Sequence, residues 1–147
     1  IPKDGKKIDP SSYVSLEEIL MNLSKLSVLQ NINSITIYLD IKYINYSDAR
    51  QDYQYPDLSK KICVLFSSSP SETSQEIDEM KHSIFSYFLL KGMKGDAMGD
   101  DNVLEIGELA EYLYIKIPEY TSKTDGVMLQ NPEFIGSDLK RVILDLK

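Results

Sequence analysis

Residues Lys61-Ile62-Cys63-Val64-Leu65-Phe66 run without interruption into Ser67-Ser68-Ser69-Pro70-Ser71. Five consecutive apolar residues between a lysine and a serine run are too few for a helix and do not alternate. That pattern is expected of a strand, and the Ser/Pro cluster marks its end. Upstream, Ile35-Thr36-Ile37-Tyr38-Leu39, short, rich in β-branched residues and bounded by Ser34 and Asp40, reads as a buried strand. Downstream, a helix is expected from about Glu79 to Lys91, with Ile84, Phe85, Phe88 and Leu89 on one face and a stop at Gly92.

The rest of the chain fits around these elements. Ser15 and Glu18 read as a capping box opening a helix striped by Leu16, Ile19, Leu20, Leu23 and Leu26. Residues 40–60 are polar and tyrosine-rich and read as a long connection. Residues 92–102 are a Gly/Asp loop. A further helix starts near Ile106, carries Leu109, Ala110, Leu113 and Tyr114, and is expected to end before Pro118. Val142 to Leu146 closes the chain as a strand or a short helix. The order α-β-loop-β-α-α-β favours an α/β sheet with helices on both faces.

Composition excludes several functions. With one cysteine and one histidine in 147 residues, the chain has no internal disulfide framework and no multi-histidine metal site. A net charge of -7 argues against a nucleic-acid backbone as partner. No run approaches the roughly 20 apolar residues of a membrane span. No apolar signal segment opens the chain, so a soluble and more cytoplasmic than secreted setting is expected. The acidic stretch Asp96, Asp100, Asp101 and Glu108 fits no EF-hand register: from Asp96, position 3 is Met98 and position 12 is Gly107. No metal and no cofactor is expected. Cys63, in mid-strand, reads as a core thiol, and His82 as a structural or surface residue. If the two main strands are parallel, Asp40 and Ser67 leave the sheet at one edge, where ligands of open α/β sheets bind.

Four segments together resemble the caspase/metacaspase-like peptidase family, over roughly residues 35–136. They are Val64-Leu65-Phe66-Ser67-Ser68-Ser69-Pro70-Ser71-Glu72, the stretch Lys81 to Asp96 beginning Lys81-His82-Ser83-Ile84-Phe85-Ser86-Tyr87, then Leu104-Glu105-Ile106-Gly107-Glu108-Leu109, and Gln130-Asn131-Pro132-Glu133-Phe134-Ile135-Gly136. The resemblance implies a caspase-like three-layer α/β sandwich with a mainly parallel sheet. It also implies a single domain over 1–147 that corresponds to the C-terminal portion of the family domain, lacking its N-terminal part.

The same resemblance implies lost chemistry. Active members end a strand in D-A/S-C-x-S-G, whose cysteine is the nucleophile. Here Asp40 matches the Asp, Lys42 stands in the cysteine's place, and Asn45 in the glycine's. A lysine with an ordinary pKa of about 10.4 is protonated at pH 7 and is no substitute for a thiolate. No catalytic residue is therefore assigned. Pocket-like positions fall on Asp40, Ser67, Ser69 and Glu72, whose two acidic groups would suit a Lys or Arg side chain.

The expected function is that of a catalytically inactive, pseudo-peptidase domain working through protein-protein interaction or regulation. Its partner would be another protein, the missing N-terminal portion, or a second copy of the chain. The alternatives are the C-terminal portion of a cysteine endopeptidase whose Cys/His dyad is completed outside this chain, and an unrelated α/β binding module.

Overall fold

A computed structural model describes residues 16–28, 31–41, 58, 60–78 and 80–145. Lys42 and most of the tyrosine-rich connection lie outside the described residues. The chain divides into two compact units, Ile1–Ile35 with Gln54–Ile62, and Thr36–Tyr53 with Cys63–Lys147.

In the first unit, helix α1 (Leu16–Leu26) carries Glu17 and Glu18 in its first turn and Lys25 in its last, both favourable to its dipole. Leu20 is its fully buried residue. The helix is closed by Ser27, whose backbone N–H donates to the Leu23 carbonyl and whose hydroxyl donates to the Ser24 carbonyl at 2.7 Å.

β1 (Ile35–Leu39) and β2 (Ile62–Phe66) are parallel: Ile35 N–H donates to the Lys61 carbonyl, and Ser67 N–H donates to the Leu39 carbonyl, both at 2.8 Å. All five residues of β2 are buried, which is why its sequence does not alternate. Its other side pairs antiparallel with β6 (Glu133–Ile135), Leu65 facing Phe134. The three-stranded sheet, in the order β1-β2-β6, is thus mixed. The expectation of a mainly parallel sheet is corrected: among the described residues, one strand pair is parallel and the other pairings are antiparallel. The short strands that reverse the chain are two to four residues long and lack any period-2 signal of their own.

Two of these short strands change the expected start of the second helix. β3 (Glu76–Ile77) and β4 (His82–Ser83) pair antiparallel, so α2 begins at Ile84 and ends at Lys91. Ser83 is its N-cap, accepting from the Ser86 backbone N–H. The α-helix ends at Lys91 as expected, with Gly92 as its C-cap, but Gly92 does not reverse the chain. It is right-handed (φ -56), and the chain continues as a π-helical segment to Asp96, turning at Gly95 with φ 123. What Gly92 supplies is space, since a Cβ there would meet Leu109 Cδ1 at 2.7 Å.

β5 (Val103–Glu105) leads into α3 (Ile106–Lys123), which runs through Pro118 rather than ending before it. A reciprocal capping box between Glu105 and Glu108 opens it. Ile106, Leu109, Ala110, Leu113 and Ile117 form one buried stripe against Ile84, Phe85 and Phe88 of α2, with Cys63 and Leu65 of β2 in the same core. The closing segment is a strand, β7 (Val142–Asp145), paired with β5. The molecule is therefore a mixed α/β structure with three α-helices and small sheets among its described residues. No described helix is long and apolar enough to cross a membrane.

Candidate functional site

Because β1 and β2 are parallel, Asp40 and Ser67 do leave the sheet at one edge. The β2 serine is spent on local geometry. Ser67 is fully buried; its hydroxyl accepts from Ile41 N–H at 3.2 Å and lies 3.3 Å from the Ile41 carbonyl. Its own carbonyl accepts from Gln130 Nε2 at 2.7 Å. The Gln130 amide is itself wholly buried and accepts from Gln75 N–H through Oε1. Both ends of this buried amide therefore have partners, as burial of a polar group demands.

Asp40 is exposed on one side and enclosed by hydroxyls on the other. Its Oδ1 accepts from Ser74 Oγ at 2.8 Å, and its Oδ2 accepts from Ser86 Oγ at 2.6 Å and from Ser83 Oγ. Ser83 also caps α2, so the carboxylate sits at the N-terminus of that helix, where a negative charge is stabilised by the dipole. Ser74 and Ser83 are nearly buried. The group joins the end of β1, the loop after β2 and the start of α2. Each of the three serine protons points into the carboxylate.

Glu72 is held in a similar way. Its two carboxylate oxygens accept from Asn131 N–H and Asn131 Nδ2, both at 2.6 Å. Ser69 N–H donates to the Asn131 carbonyl at 2.8 Å, and Ser69 Oγ lies 3.3 Å from Ser71 Oγ. The loop 67–75 and the segment 130–131 are thus fastened to each other. The four pocket-like residues Asp40, Ser67, Ser69 and Glu72 lie in the polar fabric at and beyond the β1/β2 end, with their side chains engaged by neighbours in the chain. Ser74, Ser83, Ser86, Gln130 and Asn131 complete it, and sequence reasoning did not single them out as site residues. The Ser83-x-x-Ser86 spacing, a serine N-cap signal, could have pointed to two of them.

The one thiol and the one imidazole sit in different settings. Cys63 is fully buried among core residues, and burial pushes its thiol pKa up, opposed in part by the nearby Arg141 charge. Gly136 packs on it so closely that a Cβ would meet its Sγ at 2.7 Å. His82 is exposed on β4. In the loop 96–101, Asp96 accepts from Tyr112 Oη at 3.3 Å and pairs with Lys91 at 3.5 Å, while Asp101 caps Val103 N–H. Burial, then the Asp96 charge, pushes the Tyr112 phenol up to about 12. Glu108 is committed to the α3 capping box. No group of three or more His, Cys, Asp or Glu side chains placed to hold a metal occurs among the described residues.

A carboxylate that accepts from three hydroxyls beside a helix N-terminus is a strong junction between β1, the loop after β2 and α2. No protein-family model, curated protein or solved structure matches the chain.

Proposed function

We propose that the chain is a non-hydrolytic, caspase-like interaction domain, a pseudo-peptidase that acts by binding another protein. The observation that carries this reading is the state of the resemblance's pocket positions: Asp40 and Glu72 are both engaged by hydrogen bonds from within the chain. A pocket for a Lys or Arg side chain needs at least one such carboxylate turned toward the ligand. The buried, high-pKa Cys63 supports the same reading, since the thiolate is the form that attacks.

Hydrolysis assays test it. Fluorogenic peptides carrying Asp, Arg or Lys before the scissile bond are expected to show no turnover above buffer with the folded chain. Turnover that follows the folded protein through purification, and is lost in Glu72→Gln while the fold persists, overturns the reading. Turnover that appears only on adding a second polypeptide bearing Cys and His favours the endopeptidase alternative.

A further inference from the structure

We propose that α1 is a self-association surface, on which a second copy of the chain docks antiparallel about a two-fold axis. The helix buries Leu20, yet it leaves Ile19 37% and Leu26 45% exposed. These two residues are seven apart, close to two full turns, so they share one stripe of the helix. Asn22 lies between them and accepts from Lys25 Nζ at 3.3 Å. Immediately beside the stripe run Glu18 and Lys25, also seven apart and both exposed. An apolar stripe flanked by charged positions is the pattern by which helices choose partners and orientation.

The charges choose the second copy and its direction. Glu18 belongs to the acidic first turn and Lys25 to the basic last turn. In a parallel pair the two-fold axis runs along the seam and puts the two copies' Glu18 and Lys25 on opposite flanks, where they form no pair of opposite charge. An antiparallel pair turning about Asn22 sets Glu18 beside Lys25 of the partner subunit, and the symmetry repeats the contact. The same turn lays Ile19 against Leu26 of the partner subunit. It also opposes the two helix dipoles head to tail. A self-complementary patch of this kind is what a two-fold dimer requires. Helix α1 has 11 residues, about 16 Å, so its contact is well below the roughly 1,200 Å² of a standard interface. The dimer is weak and forms at high concentration.

Sedimentation of the full chain from about 10 µM to about 1 mM tests this. The weight-average mass is expected to climb from the monomer toward twice its value. Lys25→Glu and Glu18→Lys are each expected to weaken association roughly tenfold or more, because each turns both flanking pairs into like-charge pairs. Mixing these two variants in equal amounts is expected to restore it, since one chain then brings Lys at both positions and the other Glu. The Glu18→Lys/Lys25→Glu double variant restores it alone. The mixture also separates pairing from damage to the helix, because two chains with a melted α1 gain nothing on mixing. A constant monomer mass across the series, undiminished association in the single variants, or a mixture no better than its parts overturns the proposal.

Discussion

Removing the Asp40 carboxylate distinguishes a structural junction from a waiting pocket. In Asp40→Ala, Ser74 and Ser83 lose the acceptor for their hydroxyls, and at 6% and 9% exposure they have little water to replace it. Each stranded buried hydroxyl costs about 1–3 kcal/mol. Ser86 is half-buried and regains water, and loss of the charge at the α2 N-terminus adds about 0.3–1 kcal/mol. The sum is about 2–7 kcal/mol. For a chain of this length that corresponds to a drop in Tm of about 5–25 °C. Asp40→Asn keeps one carbonyl acceptor and is expected to lose about half as much.

Urea unfolding followed by far-UV circular dichroism measures the effect, with an unchanged m-value as the control. A double-mutant cycle with Ser74→Ala isolates the pair, since Ser74, unlike Ser83, is not also a helix cap. A coupling of about 1 kcal/mol or more is expected. A carboxylate kept for a cationic ligand predicts the opposite: functional groups held at a cost to the fold become neutral or stabilising when removed. If Asp40→Ala lies within about 0.5 kcal/mol of the parent, or is additive with Ser74→Ala, the junction reasoning fails.

Gly136→Ala drives a Cβ to within 2.7 Å of Cys63 Sγ and 2.9 Å of Phe134 Cζ, and is expected to destabilise by about 1–3 kcal/mol. Adding Cys63→Ala should return part of that loss, which thermal melts of the four variants would detect. Gly95→Ala meets no atom within 4 Å but forces an L-residue to φ 123, at a cost of about 1–3 kcal/mol, whereas Gly92→Ala keeps an allowed φ and suffers from crowding against Leu109; a change of Leu109 to Ala should relieve only the second. Stability should fall at alkaline pH. Cys63, Tyr38, Tyr112 and Tyr114 all have pKa values raised in the fold by burial, so the unfolded chain gives up its protons first. That stability is fully present below pH 9 and is lost as pH rises past 9 and 10 toward the value of about 12 at Tyr112, which denaturant titrations at pH 8 and 11 would resolve.

The parts of this architecture that were legible in the sequence are those whose cause is local. Five apolar residues in a row announced β2, because a strand covered on both faces has no polar side to display. The β-branched run at 35–39 announced β1, though the strand is half-buried rather than buried as expected, and the assumption of parallel strands placed Asp40 and Ser67 at one edge. The strands that came from elsewhere were not legible. β6 forms because Glu133–Ile135 pairs with residues some 70 positions earlier in the chain, and three residues carry no period of their own. β4 took His82 and Ser83 out of the expected helix through a local hairpin with Glu76 and Ile77, whose two-residue strands are too short to show a period. Pro118 reads as a helix stop, yet Leu113 and Ile117 before it and Thr121 after it are buried, and their packing carries the helix through.

The same distinction decides what Asp40 means. Position alone, an acid at the end of a parallel strand, is equally good at receiving a ligand and at fastening a sheet to a helix. Sequence gives the position and not the donors around it. The donors come from three places, residues 74, 83 and 86, and only Ser83 and Ser86 are near each other in the chain. Their convergence turns an acid that looks available into one already occupied. Under the proposed pseudo-peptidase reading, an edge that does not have to receive a substrate would be free to use its acids for holding loops together. Such an edge would be more stable than a working one, so the Asp40→Ala measurement bears on function as directly as any hydrolysis assay.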